Sequence, residues 1–114
     1  PPGEDCVDIV LGDRFGASCD ESITELAEEL FISAGLRVIR NKPYAGGFIT
    51  QNHGAPLRGR HALQIEINRG LYLDELRFEK TVDFLPLQRT LANTIKILLE
   101  TLVEFANPQK QAAE

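Results

Sequence analysis

Apolar residues along this chain follow two different periods. Over residues 61–68 they alternate: Leu63, Ile65 and Ile67 fall on one side, and Ala62, Gln64, Glu66 and Asn68 on the other, which predicts a strand. Residues 7–11 form a short run rich in β-branched side chains, bounded by Gly12 and Asp13, and read as a buried strand; residues 36–40 read as another. Between them Ile23, Leu26, Ala27, Leu30, Phe31 and Ala34 recur at helical spacing, with Ser22 and Glu25 as a capping box at the start and Gly35 as the stop. The first forty residues are thus expected to be a strand, helix and parallel strand. Phe48, Ile49 and Thr50 suggest a further short strand between two loops rich in glycine. After Gly70, residues 71–75 fit either one helical turn or an extended segment. Last comes a long helix, from about Asp83 or Leu85 to Ala106, in which Phe84, Leu87, Leu91, Ile95, Leu98, Leu102 and Phe105 recur at steps of three and four. Ala92, Leu99 and Val103 widen that stripe, so the helix is expected to be covered on more than one side or to pack against another part of the protein.

This order of elements points to one α/β domain over residues 1–114, with a mixed or mostly parallel sheet and loose ends at residues 1–5 and 109–114. Composition supports a packed core, with 43% of residues apolar. A formal net charge of −5 gives no long-range pull on nucleic acid or anionic lipid, so neither is expected as a partner. No apolar run approaches the roughly 18 residues that span a membrane, and the first residues show no signal region. Cys6 and Cys19 make neither a metal-binding spacing nor a disulfide framework, which favours a reducing, cytoplasmic setting.

The candidate chemistry gathers on and around the alternating strand. Its polar side is either an ordinary solvated face or the wall of a cleft. In the second case Glu66 is a carboxylate held on a rigid element and able to shuttle a proton, and Gln64 and Asn68, on its own face, are candidate substrate contacts that could also orient it. Arg69 and Arg14 each adjoin a glycine-containing turn at a strand end, where a planar bidentate donor suits a carboxylate-bearing small molecule; salt bridges to surface acids are the other reading. The two histidines, His53 and His61, lack a third ligand at metal-site spacing. His53 reads as a surface or pocket-lining residue and His61 as a structural residue or a base, while Cys19 reads as a small core residue. The loop at residues 12–16 lacks the spacing and the lysine of a phosphate-binding loop.

Three blocks carry a resemblance. Leu11-Gly12-Asp13-Arg14-Phe15-Gly16-Ala17-Ser18-Cys19, Asn41-Lys42-Pro43-Tyr44-Ala45-Gly46-Gly47-Phe48-Ile49 and His61-Ala62-Leu63-Gln64-Ile65-Glu66-Ile67-Asn68-Arg69, followed by Leu71-Tyr72-Leu73-Asp74-Glu75, resemble the N-formylglutamate amidohydrolase family. The resemblance implies a three-layer α/β fold related to the zinc carboxypeptidases. It also implies a zinc-dependent hydrolase that cuts N-formyl-L-glutamate into formate and glutamate, in one route of histidine breakdown. In the family the zinc ligands are expected upstream of the region that this chain matches, so the chain is expected to be the C-terminal half of a larger domain. Glu66 then resembles the general base, and Arg69 and Arg14 resemble substrate contacts. A truncated sheet would leave an apolar surface beside the strand of Glu66, through which copies of the chain are expected to self-associate. A noncatalytic α/β domain that binds an acidic amino-acid derivative or a protein partner is the alternative.

Overall fold

The computed structural model describes residues 7–105 except Tyr44, Glu75, Phe78, Thr81 and Asp83. The lead-in at residues 1–5, Cys6, the expected helix end at Ala106 and the tail beyond it lie outside the described residues. Three strands form the main sheet in the order β2-β1-β3: β1 (Ile9–Gly12), β2 (Val38–Arg40) and β3 (Gln64–Ile67). β2 runs parallel to β1, with Ile9 opposite Val38, and β3 runs antiparallel to it, with Ile9 opposite Ile67 and Leu11 opposite Ile65. The sheet is therefore mixed, and β1 rather than the alternating segment is its middle strand.

The alternating strand is also shorter than its pattern predicts. The Ala62 N–H donates to the Ser18 carbonyl at 2.8 Å, and the His61 Nδ1 accepts from the Asp20 N–H at 3.0 Å. Residues 61 and 62 are thereby tied to the loop ahead of the first helix, and only four residues pair with β1.

Helix α1 (Glu21–Ser33) begins after Asp20, not at the expected Ser22/Glu25 box. With the Asp20 backbone fixed by His61, the helix enters one residue before Ser22, whose Oγ instead donates to the Asp20 carboxylate. The other end behaves as its sequence predicts. Gly35 takes φ +89°, its N–H donates to the Ile32 carbonyl at 2.9 Å, and the Leu36 N–H donates to the Phe31 carbonyl at 3.1 Å. This pair of bonds satisfies carbonyls left open by the last turn and sends the chain back toward β2.

The short strand expected at Phe48, Ile49 and Thr50 is instead the first half of helix α2 (Phe48–His53). Among the described residues no strand pairs with them. Their hydrogen bonds are local: Thr50 Oγ1 donates to the Gly47 carbonyl at 2.9 Å, Gln51 N–H to the same carbonyl at 3.0 Å, and Asn52 Nδ2 to the Phe48 carbonyl at 2.8 Å. After a 3-10 turn at Arg69–Leu71, β4 (Leu73–Asp74) pairs antiparallel with β5 (Glu79–Lys80). Helix α3 (Phe84–Phe105) closes the described chain, within one or two residues of the expected start. No helix among the described residues is long and apolar enough to cross a membrane.

The core lies between one sheet face and the two long helices. Ile9, Leu11, Ala27 and Phe31 are fully buried, Leu98 nearly so, and Leu63, Ile65, Ile67, Leu91, Ile95 and Leu102 pack around them. Burying a side chain the size of Phe31 contributes about 1.5–3 kcal/mol. Arg40, at the end of β2, pairs with Glu21 and Glu28 of α1 at 2.6 and 3.0 Å and fastens strand to helix. Hydrogen bonding to Glu21 is the main cause that holds its guanidinium charged more firmly than usual. Among the described residues α1 and α3 both cover the same face, while a three-layer arrangement requires helices on the second face as well.

Candidate functional site

Strand alternation places Gln64 and Glu66 on the sheet face opposite that core. In register, Glu66 stands beside Val10 and Gln64 beside Gly12 of the middle strand. Gly12 has a steric reason: a Cβ there would meet the carbonyl carbon and oxygen of Ala45 at 2.9 Å. The backbone of residues 45–47 thus lies directly on the end of β1. A Cβ at Gly47 would lie 3.4 Å from Gln64 Oε1, and one at Gly46 would lie 3.2 Å from Arg14 Cγ. These close approaches bring Arg14, the glycine pair and Gln64 into one patch, and the Arg14 N–H donates to the Ala45 carbonyl at 2.7 Å.

Loop conformation at the end of β1 is unusual. Arg14 and Phe15 take φ of +53° and +56°, left-handed values that side chains with a Cβ rarely adopt. Asp13, 2% exposed, organises the turn. Its Oδ1 accepts from Asn41 Nδ2 at 2.9 Å and from the Gly16 N–H at 3.2 Å, while its own N–H donates to Asn41 Oδ1 at 3.1 Å. Burial pushes the Asp13 carboxyl up, but hydrogen bonds from Asn41, Thr24 and the Gly16 N–H, with the charge of Arg40, outweigh it and hold the group below the usual carboxylate range.

The five candidate residues divide into two groups. Arg14, Gln64 and Glu66 are half-buried, and none of the three side chains makes a hydrogen bond or ion pair among the described residues. Asn68 is committed: its Oδ1 accepts from the Gly70 N–H at 3.0 Å and caps the turn that contains Arg69, and its Nδ2 donates to the Val7 carbonyl at 3.2 Å. Arg69 lies in the 3-10 turn that follows β3, beyond the other end of the strand from Gln64. The structure therefore gathers Arg14 and Gln64, sets Glu66 two residues along β3 on the same face, and commits Asn68 to the turn that carries Arg69. The sequence reading missed Asp13 and Asn41 as members of the site; the one hint was a polar residue directly following each of two apolar strands.

Elsewhere, His53 is exposed at the end of α2, and His61 uses Nδ1 to hold α1. Cys19 is buried, and burial pushes its thiol up, as suits a core residue. Among the described residues no three His, Cys, Asp or Glu side chains converge as a metal site, so they do not fit a zinc centre by themselves. Phe15, next to Arg14, and Phe48 and Ile49, next to Gly47, are exposed. A groove of about 1000 Å³ opens on the other sheet face, lined by Ile23, Leu26, Leu63, Ile65, Leu98 and Leu102 among others. Its walls are mostly apolar and it holds none of the five candidates, so the uncommitted polar groups, rather than the cavity, mark the site.

Residues 2–73 match the family model described as N-formylglutamate amidohydrolase. Over 100 residues the chain is 34% identical to an N-formylglutamate deformylase of Pseudomonas aeruginosa, covering 86% of this chain and 36% of that protein. It is 35% identical over 69 residues to an N-formylglutamate deformylase of Pseudomonas putida, covering 60% and 26%. The crystal structure of N-formylglutamate amidohydrolase from Ralstonia eutropha JMP134 is similar with a TM-score of 0.76 at 38% identity, covering 83% of this chain and 34% of that one. The chain spans about a third of the length of two of these relatives and about a quarter of the other.

Proposed function

The chain belongs to the N-formylglutamate amidohydrolase family, and from that premise we propose that its polar sheet face serves the hydrolysis of N-formyl-L-glutamate, or a close N-acyl amino acid, to formate and glutamate. One observation carries the reading: close backbone approach at Gly12, Gly46 and Gly47 brings the Arg14 guanidinium and the Gln64 amide together, with the Glu66 carboxylate two residues along β3 on the same sheet face, all three side chains without partners among the described residues. Water adds its oxygen to the formyl carbon, the C–N bond breaks, and a proton must reach the leaving amine. Glu66, held by a paired strand, takes the proton from water and returns it to the nitrogen. Arg14 grips a substrate carboxylate in a bidentate manner, and Gln64 offers both a donor and an acceptor to the amide. Arg69 is a second carboxylate contact, and Asn68 serves by holding the turn that presents it. The zinc implied by the resemblance is assigned to residues outside the described set.

A second reading, binding of the acidic amino-acid derivative without turnover, is favoured by the absence of a three-ligand cluster among the described residues. The two separate in one experiment with N-formyl-L-glutamate, with and without added Zn²⁺, measuring formate release alongside calorimetric binding. The hydrolytic reading expects formate release that Glu66→Gln abolishes with binding retained, and binding that Arg14→Ala weakens. Binding without formate supports the second reading. Lack of binding overturns both.

A further inference from the structure

Among the described residues, three other than glycine take left-handed backbone conformations: Arg14 at φ +53°, Phe15 at +56° and Asn41 at +59°. Asn41 is one member of a reciprocal pair, and Arg14 and Phe15 directly follow the other: the Asp13 N–H donates to Asn41 Oδ1 at 3.1 Å and Asn41 Nδ2 donates to Asp13 Oδ1 at 2.9 Å. Asparagine tolerates this region of backbone space, whereas arginine and phenylalanine do so at a cost, and such conformations persist only where their surroundings over-determine them. The surroundings do so in this case. Asp13 is buried and its two oxygens, side chain and main chain, accept from Gly16 and Ser18 at 3.0–3.2 Å; the Asn41 N–H donates to the Leu11 carbonyl at 2.8 Å. A plain connection from strand to helix needs none of this.

The pair sits where the adjacent parallel strands β1 and β2 end, so it joins the roots of two loops, one carrying Arg14 and the other carrying Gly46 and Gly47. From this geometry we infer that Asp13 and Asn41 are positioning residues, which hold Arg14 in its left-handed turn against the Gly46–Gly47 backbone and so set the place of the carboxylate clamp beside Gln64. The inference rests on the reading of Arg14 as that clamp.

The test separates placement from binding. Placement is read without ligand, as the nuclear Overhauser contact between the Arg14 γ protons and the Gly46 α protons. In Asn41→Gly, which accepts the positive φ but deletes the amide, this contact is expected to vanish while contacts between β1 and β3 remain. Asp13→Asn, which keeps the shape and loses the charge, is expected to weaken it and serves where Asn41→Gly does not fold. Binding of N-formyl-L-glutamate is expected to fall about tenfold or more in Asn41→Gly, a loss of the size that one charged hydrogen bond controls. In an Arg14→Ala background the same change is expected to cost no more than about twofold. A contact that persists in both variants overturns the inference, as does an equal loss of binding in both backgrounds. If the contact vanishes and Arg14→Ala itself binds normally, the positioning stands and the clamp reading of the preceding section fails.

Discussion

The two faces of the three-stranded sheet are made by the same strands and differ in almost every physical respect. On the helix side Ile9, Leu11, Ile65 and Ile67 pack with Phe31, Ala27 and Leu98, and no buried side-chain polar atom among the described residues lacks a partner. On the other side Gln64 and Glu66 alternate with those same isoleucines, and their side chains, like that of Arg14, make no hydrogen bond or ion pair among the described residues. Apolar burial is concentrated on the first face, and uncommitted polar side chains on the second. The difference shows how one four-residue strand can serve both, because its period of two assigns each residue to one task.

The largest way to break this division is to empty the core. Phe31→Ala is expected to destabilise the fold by about 3–5 kcal/mol, since a fully buried aromatic leaves a cavity that its neighbours fill only in part. Against a typical stability of about 5–15 kcal/mol for a whole domain, that loss is large enough to move the urea midpoint sharply. Urea unfolding followed by circular dichroism measures it. An effect below about 1 kcal/mol would show that the helix side is not where stability resides.

That face was also the more legible one in the sequence. Long amphipathic periods in α1 and α3 survive folding because each helix buries one stripe, and the Gly35 stop works through bonds to residues three and five positions back. What failed to show was set by distant partners. The entry of α1 at Asp20 is fixed by His61, 41 positions away, and Phe48, Ile49 and Thr50 turn helical with local hydrogen bonds to the Gly47 and Phe48 carbonyls. On the polar face, alternation picked out Gln64 and Glu66. It could not separate Arg14, beside the glycine loop, from Arg69 beyond the far end of β3, nor reveal Asp13 and Asn41, whose pairing joins positions 28 apart.

A smaller effect tests the turn at the end of β1 that carries Arg14. The Asp13 carboxyl is held below its ordinary range: burial raises it, but Asn41, Thr24, the Gly16 N–H and Arg40 together favour the charged form. A depressed folded-state value means that the unfolded chain binds the proton first on acidification. The stabilisation is therefore complete above the unfolded value, near pH 4, and is lost as pH falls through the lower folded value. Stability of the wild type is expected to decline below about pH 4 more steeply than that of Asp13→Asn, measured as urea midpoints at a series of pH values. Parallel acid limbs in the two proteins would place the stabilising charge elsewhere.

The smallest expected change in stability is also the sharpest test of the comparison. Glu66 is a half-buried carboxylate with no partner among the described residues, on a strand and next to Val10. A residue kept for folding alone at that place would be β-branched, because such side chains pack well on a pleated surface beside a cross-strand valine. Glu66→Val is therefore expected to leave stability unchanged or to raise it by up to about 1 kcal/mol, read as a urea midpoint that holds or increases at constant slope. Formate release, where present, is expected to disappear in the same variant, since valine can neither take nor return a proton. A clear loss of stability would mean that the carboxylate has a structural partner and belongs with the helix side. Gained stability with lost turnover is the pattern of a residue whose place in the sequence is explained by chemistry and opposed by packing.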